Sequence, residues 1–67
     1  MYKAMMVDYF ENTMKFWEFG VQRFHSEEEA TEFFTRRRFI KDLKGGCDLI
    51  SYTEGKRDLG VKIVKVQ

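Results

Sequence analysis

The side chains that most often act as nucleophile or proton shuttle near neutral pH occur once each in this sequence, as Cys47 and His25. A thiol becomes a useful nucleophile when a base or cation lowers its pKa. The sequence sets no such group beside Cys47, so a buried structural cysteine is expected. His25 precedes a helix start, where an exposed, idle ring is expected. Together they fall short of the four Cys or His ligands of a structural zinc site. The acidic run Glu27-Glu28-Glu29 lacks the alternating Asp/Asn ligands and central glycine of a calcium loop. Gly45-Gly46 and Gly55-Lys56 lack the spacing of a phosphate-cradling loop. No catalytic residue, metal or cofactor is therefore expected, and the chain is read as a non-enzyme.

Binding is better provided for. Arg36-Arg37-Arg38, with Lys41 and Lys44, forms a basic cluster of the kind that holds phosphate or carboxylate through charge-assisted, often bidentate hydrogen bonds. A structural reading stands beside it. Acids at Glu27, Glu28, Glu29 and Glu32 and bases at the far end would complement a helix dipole, and Glu32 and Arg36 have the favourable i,i+4 spacing. At 3.6 residues per turn, Ala30, Phe33, Phe34, Arg37 and Ile40 share one side of that helix. Arg36 or Arg37 must then border the buried stripe, either snorkelling along the sheet or anchoring an interface, where arginine is enriched. Phe39 falls on a different side, with Leu43. It is covered by a hairpin turn, or it is an exposed aromatic among arginines and so an interface anchor. Phe39, Arg36, Arg37, Arg38 and Lys41 are accordingly the candidate partner-binding residues.

These residues must be positioned by a single domain spanning 1–67, since 67 residues leave no room for two cores. A first strand is expected from Tyr2 to Phe10, apolar on both faces. After a turn at Glu11-Asn12-Thr13, Trp17, Phe19 and Val21 alternate with Glu18, Gly20 and Gln22, which predicts the second strand of an antiparallel hairpin. Ser26 followed by Glu29 is a capping box. A helix is expected from there to Lys44, stopped by Gly45-Gly46. Strands at about Asp48 to Thr53 and Leu59 to Val66 make a second hairpin, with a parity shift near Ile63-Val64 that a β-bulge, or a strand covered on both faces, would account for.

The predicted fold is α+β, in the order ββαββ: one helix packed on a four-stranded sheet of two hairpins, with Trp17, Phe19 and Val21 facing the helix. Ala4, Met6, Phe10 and Phe16, with Ile50 and Tyr52, would then lie on the opposite face and offer a second docking surface. In element order and size, over its whole length, the chain resembles the β-grasp immunoglobulin-binding domains of bacterial cell-surface proteins. The resemblance implies a fold; no residues matching an immunoglobulin-binding site accompany it.

Composition narrows the function classes. With 12 basic and 11 acidic side chains and a formal net charge of +1, any nucleic-acid contact would have to come from a local patch. A lone cysteine excludes an internal disulfide, and no apolar run is long enough for a bilayer. A complete, cytoplasmic chain without membrane contact is expected. A core of this size typically supplies only about 3–5 kcal/mol, so dense packing of the eleven aromatics, a homodimer, or both are expected as the supplement. The expected function is a small protein-binding module. Its size and lack of chemical machinery suit a viral or mobile-element inhibitor that docks on a host complex. The alternative is a nucleic-acid-binding domain using the basic C-terminal half of the helix, Arg36, Arg37, Arg38, Lys41 and Lys44, with Lys56 and Arg57.

Overall fold

The computed structural model describes residues 1–10 and 15–66. Six elements follow one another: β1 (Tyr2–Asp8), β2 (Phe16–Glu18), α1 (Glu27–Thr35), β3 (Ile40–Lys41), β4 (Leu49–Thr53) and β5 (Lys56–Lys65). All five strands join one antiparallel sheet in the order β2-β1-β5-β4-β3. The expected four-stranded, two-hairpin ββαββ sheet, and with it the β-grasp element order, is thus replaced by a five-stranded ββαβββ arrangement. The extra strand is β3, formed by residues assigned from sequence to the helix. The predicted turn at Glu11-Asn12-Thr13 lies outside the described residues. The helix leads from one edge strand, β2, to the other, β3, and β1 and β5 pair along their length in the middle of the sheet.

α1 begins as its capping box predicts. The Glu29 N–H donates to Ser26 Oγ at 3.1 Å, and the Glu29 carboxylate accepts from the His25 N–H at 3.4 Å. It ends nine residues before Lys44, at Thr35, because a different stop signal acts first. Arg38 takes φ 70°, the Phe39 N–H donates to Phe34 O at 3.1 Å, and the Arg38 N–H donates to Thr35 O at 3.2 Å. These are the paired 6→1 and 5→2 bonds of a Schellman ending, which characteristically brings an apolar residue back against the last turn. Phe39 is that residue. Its ring meets Phe34 edge-to-face at 5.4 Å, and it is 8% exposed. The placement of Phe39 on an outer side of a long helix is therefore corrected: no helix continues that far.

The helix packs on the face of the sheet carrying Ala4, Met6, Leu49 and Val61, with Phe24, Phe34 and Phe39 above them. Phe19 and Phe33 complete an aromatic cluster whose neighbouring rings stand 5.0–6.2 Å apart, mostly edge-to-face. Such pairs each contribute roughly 0.5–1.5 kcal/mol beyond their area. Phe19 thus faces the helix as expected. Ala4 and Met6, expected on the opposite face, share the helix face, because Met6 is the cross-strand partner of Trp17. Val21 lies outside the sheet and is exposed.

The predicted bulge occurs earlier than Ile63-Val64. Ile50 pairs with Gly60 and Tyr52 with Arg57, so β5 contributes one extra residue opposite Ser51. The Ser51 hydroxyl fills the broken ladder, accepting from the Leu59 N–H at 3.1 Å and lying 3.4 Å from Leu59 O. The bulge resets the alternation, so that Arg57 shares the far face with Tyr52, Ile50 and Gly60.

Candidate functional site

The residues predicted to bind a partner lie close together along the chain and do not share one environment. Arg36, Arg37 and Arg38 form the turn after α1, Lys41 stands in the edge strand β3, and all four are exposed. They make a basic knuckle at one corner of the domain. Phe39 separates from them, sinking into the core while its neighbours stay outside.

Each arginine is held differently. Arg36 Nη2 lies 3.8 Å from Glu32 Oε2, with both side chains largely in solvent, so the pair contributes little. Arg37 folds back over the Phe33 ring, its guanidinium carbon 3.6 Å from the centroid, and Nη1 donates to Phe33 O at 2.8 Å. This is a cation–π contact joined to a helix-end carbonyl bond. It answers the question raised by the helical stripe: Arg37 borders the core by covering an aromatic face, not by threading along the sheet. Arg38 occupies the left-handed region, where a side chain costs about 1–2 kcal/mol relative to ordinary helical backbone. Beside the knuckle, a groove of about 250 Å³ is lined by Gln22, Phe24, Glu29, Glu32, Phe33, Arg36 and Arg37.

A second cluster occupies the far face of the sheet. Arg57 donates to both carboxylate oxygens of Asp42, Nη1 to Oδ1 at 3.0 Å and Nη2 to Oδ2 at 2.9 Å. Asp42 is almost wholly enclosed and also accepts from the Lys44 and Cys47 N–H groups, each at 3.2 Å. The Arg57 hydrogen bonds hold the Asp42 carboxyl below its ordinary range against the opposing effect of burial, and the same bonds raise Arg57. The guanidinium also lies over the Tyr9 ring, 4.5 Å from its centroid, and Tyr9 Oη lies 3.4 Å from Cys47 Sγ. That contact, with partial burial, pushes the Tyr9 phenol up. The arrangement ties the 42–47 loop to Tyr9 and Arg57, with Cys47 Sγ against Gly60.

Nothing in the sequence spacing pointed to the Asp42–Arg57 pair. Its partners are separated by the loop and the β4–β5 turn, and only the bulge brings Arg57 to the correct face. Elsewhere, Glu18 is held below its ordinary range, chiefly by the Arg23 guanidinium at 2.7 Å. Among the described residues no three His, Cys, Asp or Glu side chains gather to hold a metal ion, and no helix is long and apolar enough to cross a membrane.

Comparison with profiles of known protein families, with curated proteins and with solved structures finds no significant match.

Proposed function

We propose that this domain is a non-catalytic protein-binding module whose basic knuckle, Arg36, Arg37, Arg38 and Lys41, docks on an acidic patch of a partner protein. The observation that carries this reading is Arg38. A left-handed residue that ends a helix is most cheaply glycine, yet here a long cationic side chain is held exposed at φ 70°. Backbone strain retained for a charged side chain favours a use for the charge. The neighbouring guanidinium of Arg37 is already oriented by Phe33, which lowers the cost of ordering it on binding. Binding by occupancy of a surface also suits an inhibitor.

A protein patch fits this knuckle better than nucleic acid does. The same helix carries Glu27, Glu28 and Glu29 in its first turn and Glu32 beside Arg36, so a polyanion leaving the knuckle along the helix would meet four carboxylates. A compact acidic patch meets only the arginines and Lys41.

The test is chemical cross-linking and affinity capture with the wild-type chain and with a variant in which Arg36, Arg37, Arg38 and Lys41 are all alanine. Mobility shifts on single- and double-stranded nucleic acid at about 50 and about 200 mM salt run in parallel. The expected result is a protein captured by the wild type, released by the variant and by added salt, with no retarded nucleic acid. Capture unchanged in the variant, or salt-sensitive retardation of nucleic acid that the variant loses, overturns the proposal.

A further inference from the structure

The chain between Phe39 and Asp48 is held differently from the rest of the domain. Both flanks are fixed. Phe39 lies in the core cluster, and its N–H donates to Phe34 O at 3.1 Å. Asp48 is tied to β5: its N–H donates to Val61 O at 2.9 Å and its carboxylate accepts from the Ile63 N–H at 2.8 Å. Of residues 40–47 between them, only Asp42 and Cys47 are buried, while Ile40 and Leu43 turn outward, 57% and 87% exposed. β3 offers β4 a ladder of two residues, and Gly45 and Gly46, at φ 87° and 97°, carry no side chain. Beyond that ladder the segment rests on two side chains. The Asp42 carboxylate sits in the Arg57 fork, and the Cys47 thiol sits against Gly60 and Tyr9. A buried ion pair adds little net stability, because desolvation of both charges offsets most of their attraction. Segments with few buried apolar contacts are the first to open.

We infer that residues 40–47 form a strap that opens as a unit while the helix and the other four strands stay folded, with the Asp42–Arg57 pair as its latch. The two halves of the latch belong to different sides of the opening. Asp42 leaves together with the Lys44 and Cys47 N–H groups that also bind its carboxylate, so that charge keeps part of its hydrogen bonding. Arg57 stays on β5 over the Tyr9 ring, with its fork free. Opening thus parts one ion pair and one thiol contact, and uncovers Gly60. Lys41 travels with the strap, so where the proposed function holds, opening also divides the basic knuckle; the strap itself does not rest on that reading.

Cys47 is the only thiol in the chain, so its rate of reaction with an aromatic disulfide reagent reports the opening without any partner. The expected wild-type rate is below that of the unfolded chain and changes by less than about twofold between 0 and about 1 M urea, because a local opening exposes little surface. Unfolding of the whole domain would raise it about fivefold over the same interval. Asp42→Asn removes the charge from the latch and raises labelling by about tenfold or more, with helical circular dichroism unchanged. Arg57→Lys, which keeps the charge and loses the two-pronged fork, raises it severalfold and decides the matter if the asparagine variant fails to fold. A wild-type rate that climbs with urea in step with global unfolding overturns the strap. Labelling unchanged in a folded latch variant also overturns the proposal.

Discussion

Replacing Arg38 with glycine should make the domain more stable, an unusual expectation for a substitution that deletes a large side chain. The left-handed backbone at φ 70° costs an L-residue about 1–2 kcal/mol, and glycine adopts it without that penalty. Glycine in turn loses about 0.5–1 kcal/mol more backbone entropy on folding. The difference leaves a net gain of about 0.5–1 kcal/mol, undiminished by lost contacts because Arg38 is exposed. Urea denaturation followed by circular dichroism reads this directly. With a slope near 1 kcal/mol per M for so small a domain, the midpoint rises by about 0.5–1 M. Arg38→Ala keeps the strain and should stay within about 0.5 kcal/mol of wild type. A glycine variant no more stable than the alanine variant would refute the left-handed helix ending, and with it the claim that the charge is retained at a conformational cost. If the proposed function holds, the same glycine variant binds its partner more weakly while folding better.

Four further substitutions probe the interior. A Cβ on Gly60 would lie 2.5 Å from Cys47 Sγ, 2.8 Å from Tyr9 Cε2 and 3.0 Å from Val7 Cγ1, so Gly60→Ala should cost about 1–3 kcal/mol by overpacking. Adding Cys47→Ala should recover part of that cost in a double-mutant cycle, and strict additivity would count against the close approach. Asp42→Ala should cost about 3 kcal/mol because it strands Arg57 against the sheet. Since the folded Asp42 carboxyl titrates below its unfolded value near about 3.9, its contribution is complete above that pH and fades as pH falls through the folded pKa. The wild type and Asp42→Ala should therefore converge in acid-unfolding profiles, and a gap that persists to strongly acid pH would contradict the pairing. Phe39→Ala should cost about 3–5 kcal/mol as a core truncation, enough to leave little folded protein; a change below about 0.5 kcal/mol in urea midpoint analysis would mean the ring faces solvent.

Much of the fold was legible where a local signal acts alone. Ser26 and Glu29 start α1 where the capping box predicts, and alternation places Phe19 on the helix face. The end of the helix was misjudged because helix-favouring basic residues run on to Lys44 and Gly45-Gly46 offers an obvious stop. The operative signal was a contact: Phe39 returning to Phe34, which glycine-based reasoning overlooks when an arginine takes the left-handed position. The face of Ala4 and Met6 depended on register with β2, which the mixed apolar pattern of β1 leaves open. The basic knuckle could be named from sequence because its residues are adjacent. The Asp42–Arg57 pair could not, since a bulge decides which way Arg57 points.

The central position of β5 bears on how the chain acquires this shape. Lys56–Lys65 is translated after every other described strand, yet it is the piece that joins the β2-β1 and β4-β3 halves. Until it emerges, neither half has its main neighbour and the helix has only part of a floor, so a growing polypeptide must wait with its aromatics uncovered. Contacts between such distant parts of a chain slow folding. The interval before this last strand arrives is when chaperones or stray aggregation would act on it.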